Sequence, residues 1–207
     1  LTPADNGDAL EIIYRIAVLC NTAELQNNNG TDKEIGDPLE TGLLKYAVKN
    51  KIDIQSYRSK FPKIKEEPFS SETKIMATLH QTENDKTIYA KGASEELFIR
   101  CSHILEKEGI TELNAEKKDQ WIKKTEELAN SGLRVIAGAY KPAAASEGDI
   151  TASLVFAGLF GMIDPPREEV FAAIKECKTA GINVIMITGD HPATAKNIAL
   201  KLGIAEN

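Results

Sequence analysis

The spacing of hydrophobic residues predicts helices near the start of the chain. Apolar residues that recur every three or four positions and share one face predict a helix over Ala9–Leu25. The run DPLE at 37–40 predicts the start of a second helix, which extends to about Lys49. Asp caps such a helix, Pro fits its first turn, and Glu three residues after the cap can complete a capping box. The polar composition of Asn27–Thr31 predicts a loop.

Alternation of apolar and polar residues predicts a β-hairpin in the middle of the chain. Its strands cover Lys74–His80 and Thr87–Ala90, and the turn lies at Asn84-Asp85. Antiparallel strands with peripheral helices make residues 1–153 an α+β domain. Four further predictions are a short helix from Gly92 to about Cys101, an amphipathic helix over Ala115–Asn130, a strand over Leu133–Tyr140 and a loop over Lys141–Asp149.

Residues 154–207 show a different pattern, which is strand, helix, strand, helix. The apolar run Leu154–Ile163 precedes a helix that stops at Gly181, and a second apolar run at Val184–Ile187 precedes another helix. This βαβα order predicts a parallel sheet, so we place a domain boundary after Ser153. Between the first run and its helix, two prolines restrict the backbone and predict a stiff, hinge-like joint made of Asp164, Pro165, Pro166 and Arg167.

A short polar turn follows the second apolar run of this segment. Thr188, Gly189 and Asp190 lie where a parallel strand ends and a helix begins, which is the edge of an α/β sheet where ligands bind. Unpaired N–H groups at the start of a helix favour an anion such as phosphate. The alternative is an ordinary strand-to-helix turn in which Asp190 caps the helix.

Composition and charge exclude several classes of function. The formal net charge of −6 and the pI of about 5.3 argue against a nucleic-acid partner. The three cysteines are odd in number and widely spaced, and no metal-ligand spacing of Cys or His occurs, so we expect reduced cysteines and no metal site. No apolar run approaches the roughly 20 residues that cross a bilayer.

Six motifs, in order, resemble the cytoplasmic part of P-type cation-transporting ATPases. Four resemble the nucleotide-binding domain of that family, and two resemble its phosphorylation domain. Taken singly they are weak to moderate signals, but they span nearly the whole chain. They are GDPLETGLL at 36–44, PFSSETKIM at 68–76, KGASEELFIRC at 91–101, GLRVIAGAY at 132–140, MIDPPR at 162–167 and AGINVIMITGDHPATAKNIA at 180–199.

The resemblance implies an adenine site built on two side chains. Phe69 would stack on the base, although a lone Phe before a strand is otherwise more often a core residue. Lys91 would line the adenine pocket, and Gly92 would allow the backbone to approach the base; a solvated lysine at a strand end is the alternative.

The resemblance implies nucleotide-binding roles for three further residues. Lys74 matches a second nucleotide lysine, with a simple edge-strand charge as the alternative. Glu40 would accept from the adenine amino group, or it would serve only as the capping-box partner. Arg134 would contact the phosphate chain, or it would be a surface arginine. Ser71 replaces an arginine that contacts phosphate in some relatives, and Ser94 replaces a common proline.

The resemblance also implies what this chain lacks. Thr188, Gly189 and Asp190 would contact the phosphoryl group, and Asp164 to Arg167 would act as a hinge. The aspartate of the DKTGT motif, which accepts the phosphoryl group, is absent, as is the later segment that helps to hold Mg²⁺. We therefore predict no catalytic residue in this chain and a truncated segment of a haloacid-dehalogenase-like Rossmannoid domain over residues 154–207.

The implied function is ATP binding within a cation pump. The parent enzyme would form an aspartyl-phosphate outside this chain and transport a cation, with calcium favoured by the LCNTAEL, GDPLE and DPPR patterns. We expect ATP binding without turnover, Mg²⁺ only in the intact pump, a cytoplasmic location, and partners in the transmembrane, actuator and remaining phosphorylation domains. Self-association through an unpaired sheet edge is also expected. The alternatives are a free-standing haloacid-dehalogenase-type phosphatase and a non-catalytic interaction module.

Overall fold

A computed structural model describes residues 7–28, 31–82, 85–143, 149–163, 167–188 and 192–205. The chain divides into two compact units, and each is described by itself. The first comprises Leu1–Gln120 and Ile136–Phe160, and the second comprises Trp121–Val135 and Gly161–Asn207.

Helices and strands alternate irregularly along the described chain. The helices are α1 (Gly7–Leu19), α2 (Pro38–Lys49), α3 (Ile54–Lys60), α4 (Ser94–Arg100), α5 (Ala115–Asn130), α6 (Glu168–Thr179) and α7 (Pro192–Lys201). The strands are β1 (Glu24–Asn28), β2 (Thr31–Ile35), β3 (Lys63–Glu67), β4 (Ile75–Gln81), β5 (Lys86–Gly92), β6 (Cys101–Glu106), β7 (Gly109–Glu112), β8 (Arg134–Ala143) and β9 (Leu154–Met162).

Seven strands form one sheet in the order β3-β4-β5-β8-β9-β6-β7. The predicted hairpin is confirmed as β4 and β5, in which Ile75 pairs with Gly92 and Gln81 with Lys86. The sheet is mixed rather than purely antiparallel, because β6 and β9 run parallel. The strand predicted over Leu154–Ile163 forms as β9, but it does not begin a separate parallel sheet. It lies inside the seven-stranded sheet, between β8 and β6.

Helix α1 supplies much of the core of the first unit. Ile16, Ala17 and Cys20 are fully buried, as the predicted apolar face requires. The helix is shorter than predicted, because it ends at Leu19 and the chain enters β1 at Glu24. The predicted loop at 27–31 is wrong at both of its ends, since Asn27 and Asn28 lie in β1 and Thr31 lies in β2, and the two strands pair. Residues 29 and 30 lie outside the described residues.

Helix α2 begins and ends as predicted. The Asp37 side chain accepts from the Leu39 N–H at 2.8 Å, and Pro38 occupies the first turn, where its missing N–H costs nothing. The last helical residue is Lys49. This start fixes the direction in which Glu40, in the first turn of the helix, projects its side chain.

The second unit contains an apolar segment that does not form the predicted strand. Residues 182–188 have no regular secondary structure, and Ile187 is 94% exposed. Strand geometry needs backbone hydrogen bonds from a neighbouring strand, and among the described residues none pairs with this segment. The helices predicted on either side are confirmed as α6 and α7. Within the described ranges, no helix has both the length and the apolarity to cross a membrane.

Gly92, where the end of β5 meets the start of β4, has no room for a side chain. A Cβ atom on Gly92 would lie 2.3 Å from the Lys74 carbonyl oxygen and 2.9 Å from the Ile75 Cα atom, and both are backbone atoms. We expect Gly92→Ala to lower the free energy of unfolding by about 3 kcal/mol, because the backbone at Lys74 and Ile75 must move away from β5. Urea unfolding followed by circular dichroism measures this loss.

The control is Gly181→Ala. Gly181 has φ of +73° with no neighbour near its added Cβ atom, so only the left-handed backbone is penalised. We expect a loss of roughly 1 kcal/mol. Equal losses in the two variants would contradict the steric argument.

Candidate functional site

A buried ion pair joins helix α2 to strand β5. The Lys91 ammonium group lies 2.6 Å from Oε1 of Glu40, and the two residues are 5% and 8% exposed. Buried charges are stable only when they are paired and hydrogen-bonded. The pair therefore fixes the end of β5 against the start of α2.

The turn after α1 completes the environment of Glu40. Oε2 of Glu40 accepts from the Thr22 backbone N–H at 3.0 Å and from the Thr22 hydroxyl at 2.6 Å. The buried Asn21 side chain donates to the Glu40 carbonyl oxygen at 2.9 Å and to the Ala17 carbonyl oxygen at 2.9 Å, and accepts from the Ala23 N–H. Both the backbone and the carboxylate of Glu40 are thus held by two successive residues.

These contacts keep Glu40 ionised. Burial opposes ionisation of its carboxyl group, but the Lys91 charge and the hydrogen bonds from Lys91 and Thr22 outweigh burial, so its pKa lies below the ordinary value. Burial raises the pKa of the neighbouring Cys20 thiol to about 11, and the Lys91 charge opposes this rise. The described cysteines are all free, as the sequence predicted.

Lys74 lies beside Gly92, immediately before β4. Its backbone is left-handed, with φ of +53°, and its carbonyl oxygen accepts from the Ala93 N–H at 3.0 Å. Its ammonium group lies 3.7 Å from Glu96 and its side chain is largely exposed. The prediction of a simple edge-strand charge at Lys74 is wrong, because Lys74 precedes β4 and β4 lies between β3 and β5.

Phe69 lies in the segment that connects β3 to β4. The following turn is closed by the Lys74 N–H, which donates to the Ser70 carbonyl oxygen at 2.8 Å, and by a 2.9 Å contact between the Ser70 and Thr73 hydroxyl groups. Phe69 is 62% exposed, so it is not a core aromatic residue. An exposed aromatic face held next to an ordered turn is available for stacking.

The local roles that the sequence allows for Lys91 and Glu40 are both wrong. Lys91 is not a solvated lysine at a strand end, because it is buried against Glu40. Glu40 is not the partner in a capping box, because its carboxylate bonds with Thr22 and Lys91 rather than with the Asp37 N–H. The structure thus brings together two of the residues that the sequence predicts for nucleotide binding.

The remaining predicted residues lie in the second unit. Arg134 is the first residue of β8 and is exposed. Arg167 is the exposed N-cap of α6 and makes no side-chain cap bond, and Thr188 is exposed. The other residues predicted for the hinge and the phosphoryl site, Asp164, Pro165, Pro166, Gly189 and Asp190, lie outside the described residues.

Sequence reasoning missed Asn21 and Thr22. The predicted helix, which extends to Leu25, includes both of them. The available signal was Asn21 directly after a fully apolar helical face, since asparagine is common where helices end. Their contacts with Glu40, which is 19 residues from Asn21 and 18 from Thr22, form only in the tertiary structure, so no local sequence pattern predicts them.

Two clefts lie on the first unit close to these residues. One of about 300 Å³ is lined by Asn21 and Thr22 together with residues of α3, β3 and β4, and one of about 400 Å³ adjoins it through Glu24 and Arg58. None of the residues predicted from the sequence to bind nucleotide lines either cleft. A purine on Phe69 would therefore occupy a surface outside them.

Comparison with known proteins identifies one family. The family model described as P-type ATPase, cytoplasmic domain N, matches residues 9–169. Calcium-transporting ATPase 1 of Lactococcus lactis is 38% identical over 99% of this chain, and a calcium-transporting ATPase of Listeria monocytogenes is 40% identical over 99%. A cation-transporting ATPase of Synechocystis sp. is 40% identical over 95%. The chain spans 22–23% of the length of these relatives.

The buried pair predicts that removal of one partner is costly. We expect Lys91→Met to lower the free energy of unfolding by about 3–5 kcal/mol, because it leaves the Glu40 carboxylate buried without its counter-charge. The control is Lys117→Met, since Lys117 pairs with Glu106 at 2.7 Å where both side chains are more than a quarter exposed. That variant should lose less than about 1 kcal/mol. Urea unfolding of both variants at pH 7 measures the two losses of stability. Equal losses would contradict the claim that the buried pair is more costly to break than the exposed one.

The lowered pKa of Glu40 predicts the sign of a pH effect. A carboxyl group with a depressed folded-state pKa stabilises the fold above its unfolded value, here 4.5, and loses that contribution as the pH falls through the folded value. The stability difference between wild type and Glu40→Gln should thus be full above about pH 5 and should shrink below pH 4.5. Urea titrations from pH 3 to 7 test this, and a difference that grows on acidification would contradict it.

Proposed function

Because the chain belongs to the family of P-type ATPases, as their cytoplasmic domain N, we propose that it binds ATP for an ion pump. The observation that carries the proposal is the exposed Phe69 ring beside the ordered turn that leads to Lys74. An aromatic face stacks on any purine, and base–aromatic stacking contributes roughly 1–3 kcal/mol per base.

The other residues proposed for the site supply complementary chemistry. The exposed ammonium group of Lys74 attracts the phosphate chain, and Gly92 lets a flat base approach the backbone at the strand end. Glu40 and Lys91 form the polar floor, with Glu40 accepting from the adenine amino group. Arg134 completes the proposed nucleotide set with a contact to phosphate.

In the intact pump, the bound ATP would phosphorylate an aspartate outside this chain. Thr188, Gly189 and Asp190 would contact the transferred phosphoryl group, and Asp164 to Arg167 would act as the hinge. Residues 1–153 would form the nucleotide-binding domain and residues 154–207 part of the phosphorylation domain. Mg²⁺ would neutralise phosphate charge there. The transmembrane, actuator and remaining phosphorylation domains would be the partners, and domain motions would couple phosphorylation to cation transport.

We propose calcium as the transported ion, because relatives from Lactococcus lactis, Listeria monocytogenes and Bacillus cereus are named calcium-transporting ATPases. A cytoplasmic location next to a membrane follows from the same proposal. A free-standing phosphatase and a non-catalytic interaction module are not favoured, because the similar proteins are named ATPases.

Phe69→Ala tests the proposed stacking. We expect this variant to bind ATP about 5- to 150-fold more weakly than wild type, the equivalent of one lost stacking contact. Isothermal titration calorimetry with ATP measures the affinity, and Phe69→Trp, which keeps an aromatic face, should bind within a few-fold of wild type.

The matched control is Phe171→Ala, since Phe171 is an exposed phenylalanine on α6 of the second unit. It should leave the affinity unchanged. An unaltered affinity in Phe69→Ala would overturn the stacking assignment, and the absence of any ATP binding by wild type would overturn the proposed function.

A further inference from the structure

The two oxygens of the Glu40 carboxylate have different partners. Oε2 accepts both Thr22 bonds, while among the described residues Oε1 accepts from Lys91 alone, at 2.6 Å. An ionised carboxylate has about four acceptor positions, two on each oxygen. The described residues fill three of them, and the fourth lies on Oε1. A ligand that bonds to Glu40 therefore meets one acceptor whose direction is set by the bonds on the other oxygen.

We propose that Thr22 is a positioning residue that holds the Glu40 carboxylate with Oε1 available to the amino group of adenine, and thereby makes the site select adenine over guanine. This proposal rests on the proposed function. Adenine carries an amino donor at C6, whereas guanine carries a carbonyl acceptor there. A carboxylate oxygen fixed opposite a carbonyl oxygen leaves both unpaired, and sites built to accept from an N–H group reject analogues that lack it.

Thr22 is better placed to orient the Glu40 carboxylate than to contribute to the hydrophobic core. Its side chain is exposed, whereas Glu40 and Lys91 are buried. Its hydroxyl group contributes nothing to the core, and its loss leaves the Asn21 bond to the Glu40 carbonyl oxygen in place. When the hydroxyl bond is lost, the backbone at Glu40 therefore stays anchored, and the carboxylate keeps its bonds to the Thr22 N–H and to Lys91 but loses the shorter of its two bonds on Oε2. The effect of the Thr22 hydroxyl group on the orientation of the carboxylate thus separates from an effect on the fold.

A second cluster of the same three residue types provides an internal comparison. The Thr111 hydroxyl donates to Oε2 of Glu106 at 2.5 Å, and Lys117 donates to the same oxygen at 2.7 Å. In this cluster both partners meet on one oxygen and the side chains are partly exposed. The split between two oxygens, combined with burial, distinguishes the Glu40 cluster from this surface example.

The test compares ATP with GTP in calorimetric titrations of the purified chain. We expect Thr22→Val to bind ATP roughly tenfold more weakly, as the loss of a hydrogen bond to a charged group predicts, and to lose most of the preference for ATP over GTP. Thr22→Ser keeps the hydroxyl group and should restore both quantities. Thr111→Val should match wild type.

Thermal unfolding of each variant shows whether it is folded, and Thr22→Ala serves as a second variant if Thr22→Val is not. If Thr22→Val has the same ratio of ATP affinity to GTP affinity as wild type, the positioning role is overturned. A wild-type chain that binds ATP without preferring it to GTP would overturn the selectivity claim alone. A wild-type chain that binds no ATP would instead reject the proposed function.

Discussion

The arrangement of the candidate site depends on the ion pair between Glu40 and Lys91. An ammonium group and a carboxylate this deeply buried are stable only when they are paired and held by further hydrogen bonds, as Thr22 holds Glu40. Apolar side chains of similar volume would join α2 to β5 at least as well. The pair is therefore weak evidence for stability, and it is compatible with the proposed role of Glu40 as an acceptor for a purine amino group.

The pair also imposes geometry on the segments around it. Lys91 is followed by Gly92, the last residue of β5, which packs so closely on the Lys74 backbone that no side chain fits. This contact places Lys74 in a left-handed conformation and connects it to the turn that carries Phe69. The buried pair is thus next in sequence to the glycine that packs on Lys74, and the Lys74 N–H closes the turn that follows Phe69.

The sequence predicted correctly those elements that depend on interactions between residues close together in the chain. The cap at Asp37, the extent of α2 and the β4–β5 hairpin were predicted because capping and alternation act within a few residues. The ion pair was not predicted, because Lys91 is 51 residues from Glu40 and each has a plausible local role. The run Val184–Ile187 was predicted to be a strand from its apolarity alone, yet a strand needs a neighbour, and the described residues offer it none. The family resemblance named the candidate residues, while only the fold revealed Asn21 and Thr22.

The exposed segment Ile182–Thr188 has a consequence for the behaviour of the molecule in concentrated solution. Seven successive residues, INVIMIT, carry no charge and no proline, and Ile185 and Ile187 are almost wholly hydrated. Such a window has the composition of segments that stack into cross-β fibrils. This stretch of the second unit therefore favours association between copies of the chain at high concentration, and a lysine placed on it would oppose that association.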